Sequence, residues 1–302
     1  MRLAILADVH GNLPALKAVL RDMQHIGVAG VVDAGDFTGG PQVAETLHLL
    51  RSLGTWMIRG NREDYLIAYD RGEAPKAWYD SYQWACMRWL YQSLGDEGLR
   101  YITALPEQRV IRMDGTDPVL VVHGTPRSPT ERLIPDHDPQ VLEVFREAGL
   151  LGDGAQPPKL EKVLDGVEEP VVVCGHTHIP WSQRTGGRLA VNPGSVGAPL
   201  NGDTRAQYAI LTWRRGRWEV VHRAAEYDLT LVRKACDESG YLSSGGAIAR
   251  ACLLGVETGQ NVIGAFLSHV YELAAVVGYE GHQVVPDEVW EEAVESFNWP
   301  DA

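Results

Sequence analysis

The chain has 302 residues and a formal net charge of −13, with 45% hydrophobic and 22% charged residues. This composition is ordinary for a globular protein, and the length allows one large or two modest domains. The acidic balance disfavours long nucleic acid and anionic membrane surfaces as partners, because both attract basic proteins. Small-molecule substrates stay open, since a local basic pocket needs only a few residues.

The four cysteines show no paired spacing, so they predict neither a disulfide framework nor a thiolate zinc site. The first residues, RLAILADVH, lack the charged and long apolar regions of a secretion signal. No apolar run reaches the length of a membrane span. We therefore expect a cytoplasmic protein with no membrane contact.

The first sixty residues alternate strand and helix patterns. RLAILAD, GVVDAGD and TWMIRGN are short apolar segments typical of strands, and helical stripes separate them at 13–23 and 43–50. This βαβαβ opening predicts a parallel sheet with right-handed crossovers.

A helical insertion rich in Trp and Tyr is predicted at about 63–106, either as core packing or as a lid or wall of a cleft. Strands follow in QRVIRM and PVLVVHG, a helix across Pro139 to Ala148, and a strand in PVVVC. Two hairpins then precede a helical segment at 227–302.

Polar residues follow most of the predicted strands. An α/β sheet gathers the carboxyl ends of its strands into one crevice, so these residues are expected to lie together. Carboxylate, amide and imidazole groups without thiolate suit Mn, Fe, Zn, Ni or Co. The set comprises Asp8 and His10 in DVHGN, Asp36 in GDFTG, Asn61 in GNRED, His123 in VVHGT, and His176 and His178 in CGHTH.

The ordered series DxH, GDxxG, GNxx, HG, GHTH and NPGS resembles the calcineurin-like metallophosphoesterases. The resemblance is strongest to their bacterial and archaeal branch of small phosphodiesterases and dinucleoside polyphosphatase-like proteins. It implies an α/β fold: a β-sandwich of two mixed sheets flanked by helices. It also implies a catalytic domain at 1–226, with residues 227–302 as a helical extension packed on it.

The resemblance further implies two divalent or trivalent transition-metal ions and a metal-bridging hydroxide that attacks phosphorus. Asp36 would bridge the ions. The first ion would be bound by Asp8, His10 and His178, and the second by Asn61, His123 and His176. Asp36, Asn61, Arg62 and His123 are the predicted catalytic residues.

One position departs from the family pattern, since many members carry histidine where this chain has Arg62. Arginine stays charged at any working pH, so it can stabilise phosphate but cannot donate a proton. We therefore predict a preference for phosphoanhydride or aryl leaving groups over alkyl ones. An ion pair of Arg62 with Glu63 or Asp64 is the alternative.

Asn12, Arg62 and Arg127 are the predicted substrate contacts. For Asn12 the alternative is a cap on the first helix, and for Arg127 it is plain exposure to solvent. Asn192 and Ser195 in NPGS are expected to shape a turn near the metals.

The predicted function is hydrolysis of a small phosphorylated substrate: a phosphodiester, nucleotide or dinucleoside polyphosphate. A serine/threonine protein phosphatase is the alternative, because such enzymes share the metal site, and a non-catalytic scaffold ranks below it. The helices after Tyr227 are able either to cap the sandwich or to form a dimer interface, so a homo-oligomer stays open.

Overall fold

The computed structural model describes residues 1–279 and 284–301. His282, which the sequence places outside the ligand set, lies outside the described residues. The strands are β1 (Arg2–Leu6), β2 (Gly30–Asp33), β3 (Trp56–Met57), β4 (Gln108–Ile111), β5 (Val119–Val122), β6 (Val171–Val173), β7 (Pro180–Thr185), β8 (Arg188–Pro193), β9 (Ala206–Arg214) and β10 (Arg217–Ala225). The helices are α1 (Leu13–Met23), α2 (Val43–Ser52), α3 (Asn61–Asp70), α4 (Ala77–Asp80), α5 (Ala85–Ala104), α6 (Pro139–Glu147), α7 (Leu160–Val163), α8 (Leu229–Glu238), α9 (Tyr241–Thr258), α10 (Val262–Val276) and α11 (Asp287–Ser296).

The strands form two five-stranded mixed sheets, with orders β10-β9-β1-β2-β3 and β4-β5-β6-β8-β7. β1, β2 and β3 are parallel, as the βαβαβ pattern predicts. Both predicted hairpins form: β7 pairs with β8 and β9 with β10, each antiparallel. The predicted fold class is confirmed.

Alternation along the strands explains the layering. Leu3 and Ile5 of β1 and Val121 of β5 point into the core between the two sheets. Their neighbours in sequence point the other way: Leu6 lies in the core beneath the first group of helices, and Val122 in the core beneath α6 and α7. Because successive side chains of a strand face opposite sides, each sheet is covered on both faces.

The helical insertion and the C-terminal helices pack against each other. Trp89 of α5 meets Tyr241 of α9 edge to face, with ring centroids 5.0 Å apart. Gln83 bonds both backbone groups of Val285, at 2.7 and 3.2 Å. The division into a catalytic domain and an extension stays a prediction, but side chains of both segments share one hydrophobic core.

Two boundaries differ from the sequence expectation. β3 ends at Met57, and the insertion's first helix begins at Asn61. Ile58 still donates its backbone N–H to Asp33 O of β2 at 3.2 Å, but Arg59 donates to Pro106 O at 3.0 Å and so turns away from the sheet. Among the described residues, no helix combines the length and apolar character needed to cross a membrane.

Candidate metal centre

All seven predicted ligands follow strands that end at one edge of the sandwich. Asp8, Asp36 and Asn61 come after β1, β2 and β3 of the first sheet. His123 follows β5 of the second sheet, and the loop after β6 carries His176 and His178. Both sheets thus deliver polar side chains to a shared crevice, as expected for carboxyl ends of parallel strands.

One group of donor atoms is formed by Asp8, His10 and His178. His178 Nε2 lies 3.2 Å from Asp8 Oδ1 and 3.1 Å from His10 Nε2. His10 Nε2 is 3.8 Å from the same carboxylate oxygen. Two imidazole nitrogens and one carboxylate oxygen therefore converge as the ligands of a transition-metal cation do.

A second group is formed by Asp8, Asp36 and His123. His123 Nε2 lies 3.4 Å from Asp36 Oδ2 and 3.1 Å from the amide oxygen of Asn61. Asp8 belongs to both groups, so the two sets of donors are contiguous.

His176 stands beside these groups. Its Nε2 faces the carbonyl of Thr130 at 3.1 Å, and its ring lies edge-on to His123 with centroids 5.2 Å apart. Its backbone N–H donates to Asp8 Oδ2 at 3.0 Å. Metal ligation by the imidazole of His176 stays a prediction.

The backbone at the centre is unusual. Asp8, His10, Asp36, His176 and His178 all have positive φ, between 46° and 68°. Among the described residues, Arg215 is the one other non-glycine residue with positive φ. The left-handed region is unfavourable for side chains with a Cβ, and such residues cluster at functional sites where surrounding structure enforces them.

Backbone carbonyls orient three imidazoles. Nδ1 of His10 faces Thr38 O at 2.9 Å, and Nδ1 of His123 faces Ala34 O at 2.8 Å. Nδ1 of His178 faces Ala198 O at 2.5 Å. A carbonyl accepts a hydrogen bond from Nδ1–H, so Nε2 is the nitrogen of each ring that is left to bind a cation at the centre, as in ligating histidines.

The buried carboxylates have no permanent positive partner. Asp8 and Asp36 are 0% and 2% exposed. Over residues 1–279 and 284–301, their ion-pair partners within 4.0 Å are all histidines. Burying charge without a partner is costly, so this donor set fits one or more bound cations.

The pKa values of the imidazoles are consistent with a site for cations. Burial lowers the pKa of His123, but the Asp36 and Asp8 carboxylates outweigh burial and raise it to about 10. Burial and neighbouring imidazoles lower the pKa of His10 and of His176 to about 4. The carboxylates attract positive charge strongly: Asp8 also raises the pKa of His178 against the effect of burial, whereas His10 and His176 stay neutral near pH 7.

Glu63 supports the centre, although the sequence suggested it only as a partner of Arg62. Its fully buried carboxylate accepts hydrogen bonds from the backbone N–H groups of Asp36 at 2.9 Å and Thr38 at 3.0 Å. It also accepts from Gly60 N at 2.7 Å. Gly60 precedes α3 as its N-cap, and Glu63 follows it by three positions. This is the position of the acidic residue in a capping box, which was the signal in the sequence.

The NPGS segment, predicted to shape a turn near the metals, holds the loops of two proposed ligands together. Asn192 donates to Gly175 O at 2.7 Å and to Thr177 Oγ1 at 3.0 Å, which fixes the loop between the two histidines. Ser195 Oγ donates to the carbonyl of Asp8 at 2.7 Å.

Arg62 does not form the alternative ion pair with Glu63 or Asp64. Asp64 pairs with Arg59 at 2.6 Å, and Glu63 is occupied by the backbone groups above. Across the described residues, the Arg62 guanidinium makes no hydrogen bond or ion pair within 4.0 Å. It lines the cavity at the metal centre, with its charge available to an anion.

The other predicted substrate contacts are differently placed. Asn12 caps α1 by accepting from Ala15 N at 3.1 Å, and its amide donates to Gly197 O and Tyr227 Oη. Arg127 pairs with Glu131 and does not line the cavities beside the metal centre. Substrate contact by these two residues stays a prediction.

Arg132 is a residue that sequence reasoning missed. It lines the crevice together with Arg62, and its Nη1 donates to Leu150 O at 3.2 Å. The crevice, which we call the metal-side cavity, has a volume of about 310 Å³. Its outer wall is apolar and includes Leu150, Leu200, Val232, Leu253, Val256 and Val262.

The sequence and fold have known relatives. The calcineurin-like phosphoesterase superfamily domain matches residues 1–216. An uncharacterised protein of Methanocaldococcus jannaschii is 27% identical over 245 residues, which cover 75% of this chain and 88% of the relative. A metallophosphoesterase from Sphaerobacter thermophilus is 26% identical with a TM-score of 0.62, covering 86% of this chain and 99% of that chain.

A hypothetical protein from Pyrococcus horikoshii is similar in fold, with a TM-score of 0.64 at 22% identity over 81% of this chain and 98% of that one. The matched residues 1–216 make up well over half of the chain and contain every predicted metal ligand. The chain therefore belongs to the calcineurin-like phosphoesterase superfamily and is a metallophosphoesterase.

Proposed function

We propose that this metallophosphoesterase hydrolyses a small phosphorylated substrate, a phosphodiester, nucleotide or dinucleoside polyphosphate, with two transition-metal ions. The observation that carries the proposal is the pair of contiguous donor groups sharing Asp8, with five of the seven predicted ligands in the left-handed backbone region. Such strain persists where a function requires it.

Asp36 is the proposed bridging ligand, because the family resemblance implies that role, while Asp8 is the residue common to both donor groups. Asp8, His10 and His178 would bind one ion, and Asn61, His123 and His176 the other. When bound, the two ions would supply a hydroxide from water at neutral pH and neutralise charge on the entering and leaving oxygens. The ions are Mn, Fe, Zn, Ni or Co, since the N/O donor set suits each of them.

The remaining residues act on the substrate phosphate. Arg62 and Arg132 would bind phosphate oxygens and so hold phosphorus beside the proposed metal ligands. Because a guanidinium cannot donate a proton, the leaving oxygen must depart with little protonation from this residue. We therefore propose a preference for phosphoanhydride and aryl leaving groups.

A small substrate is favoured over a phosphoprotein. Helices α9 and α10 contribute Leu253, Val256, Val262 and Ile263 to the wall that faces the proposed ligands. A protein phosphatase needs an open cleft for an extended polypeptide, which such a wall restricts. Cytoplasmic location and a homo-oligomer stay predictions.

The experiment is a substrate panel on metal-reconstituted protein: aryl monoesters and diesters, nucleotides, dinucleoside polyphosphates and a phosphopeptide. We expect turnover of small aryl or anhydride substrates and no turnover of the phosphopeptide. Preferential dephosphorylation of the peptide would instead support the protein phosphatase.

A further inference from the structure

A second cavity opens beside the metal centre, between the helical insertion and the C-terminal helices. Its volume is about 660 Å³, and it shares Asn61, Arg62, Arg132 and Ile263 with the metal-side cavity. We call it the aromatic cavity, because five aromatic residues line it: Tyr65, Trp78, Trp84, Tyr271 and Trp290. Part of its wall comes from α10 and α11, which lie beyond the residues matched by the family.

The aromatic wall is preassembled. Trp78 stacks on Trp84 with centroids 4.3 Å apart and an angle of 21° between the ring planes. Tyr65 meets Trp78 edge to face at 5.5 Å. Trp84 and Tyr65 are half-buried, so part of each ring is available for contact. Faces and edges of this kind bind planar rings by stacking and edge contacts.

The charge distribution favours an anionic group where the two cavities meet and a neutral group inside the aromatic cavity. Arg62 and Arg132 are its charged lining residues, both cationic, and no carboxylate among the described residues lines it. The two arginines lie at the junction with the metal-side cavity. A phosphate held at this junction would direct one of its substituents into the aromatic cavity.

We propose that the aromatic cavity binds a planar ring of the substrate, an aryl group or a nucleobase, against the faces and edges of its aromatic side chains. The inference rests on the proposed function in placing the phosphate at the metal centre. The volume lies within the range of ligand sites that bury most of a small molecule.

The test is calorimetric titration of the manganese-loaded protein with phosphonates, which are not hydrolysed. Methylphosphonate, phenylphosphonate and the 5′-phosphonate analogue of AMP differ in the group attached to phosphorus. We expect the two ring-bearing ligands to bind at least roughly tenfold more tightly than methylphosphonate.

Variants locate the ring. Trp84→Ala removes part of the aromatic wall, and Leu267→Trp fills the aromatic cavity. Both variants should abolish most of the preference for ring-bearing phosphonates over methylphosphonate. Thermal melting verifies that each variant is folded. Leu200→Ala in the metal-side cavity is the matched control and should retain the preference.

Equal affinity for methylphosphonate and phenylphosphonate, no binding of any phosphonate, or loss of the preference in Leu200→Ala alone would each overturn the proposal. Tighter binding of the phenyl or the adenine ligand distinguishes an aryl group from a nucleobase. If no phosphoester is hydrolysed while the ring preference persists, the proposed function fails and the binding site stands.

Discussion

The metal centre and the aromatic cavity adjoin each other at Arg62 but are built in opposite ways. The metal centre consists of short polar loops after strands, with strained backbone and buried charge. The aromatic cavity lies between helices distant in sequence, and most of its lining is apolar or aromatic. The proposed metal ligands are therefore encoded in local motifs, whereas the shape of the proposed ring-binding cavity depends on long-range packing.

The largest effect is expected from Asp36→Asn. The amide loses the negative charge that a bridging ligand needs, so kcat/KM on an aryl phosphodiester should fall by at least about a hundredfold. Initial rates and bound metal content measure the effect. Asp96→Asn, at an exposed carboxylate of α5, is the matched control and should keep its activity. Full activity in Asp36→Asn would contradict the assignment of Asp36 as the bridging ligand.

Gly60→Ala tests how tightly the loops are packed. A Cβ at Gly60 would lie 2.2 Å from Asp36 Oδ1 and 2.9 Å from His123 Cε1. Relieving this overlap should cost about 1–3 kcal/mol of unfolding free energy and weaken metal binding. Urea denaturation and metal titration provide the readouts. In Gly152→Ala the nearest atom is 3.9 Å away, so an equal loss there would contradict the packing argument.

Arg62→His probes one of the residues that both cavities share. Because the ordinary pKa of an imidazole is near neutral, histidine can protonate a leaving oxygen, whereas a guanidinium cannot. The ratio of aryl to alkyl phosphomonoester turnover should therefore fall by roughly tenfold in the variant. The measurement is kcat for both substrates under conditions where chemistry limits the rate. If the wild-type protein already hydrolyses both substrates equally fast, the leaving-group proposal is wrong.

The smallest effect is expected at an ordinary ion pair away from both regions. Asp22 accepts from Arg223 Nε at 2.9 Å and from Tyr208 Oη at 2.6 Å, and these hydrogen bonds hold its pKa below the usual 3.8. Since the folded pKa is depressed, the stabilisation is fully present above the unfolded pKa and is lost as pH falls through the folded pKa. Asp22→Asn should cost up to about 1 kcal/mol at pH 7, because the pair is partly exposed, and less at pH 3. Unfolding free energies at the two pH values check this, and a pH-independent loss would argue against the ion pair.

The sequence by itself determined the parallel opening of the first sheet, both hairpins and the set of proposed donors, whereas the sandwich was implied by the family resemblance. The βαβαβ opening and the hairpins follow from local periodicity, and the proposed ligands follow from strand-end motifs. These features are readable because each depends on residues close in sequence. Even the glutamate that joins the Asp36 and Asn61 loops had a local signal at a helix start.

Only the tertiary structure decided which arginines face the centre. Arg127 and Arg132 lie five positions apart in one polar loop, but that loop folds back so that Arg127 and Thr125 both contact Glu131. Arg132 is left facing the cavity. Likewise, no local pattern places Trp78 and Trp84 opposite Trp290, because helices far apart in the chain meet only when apolar surface is buried across the whole molecule.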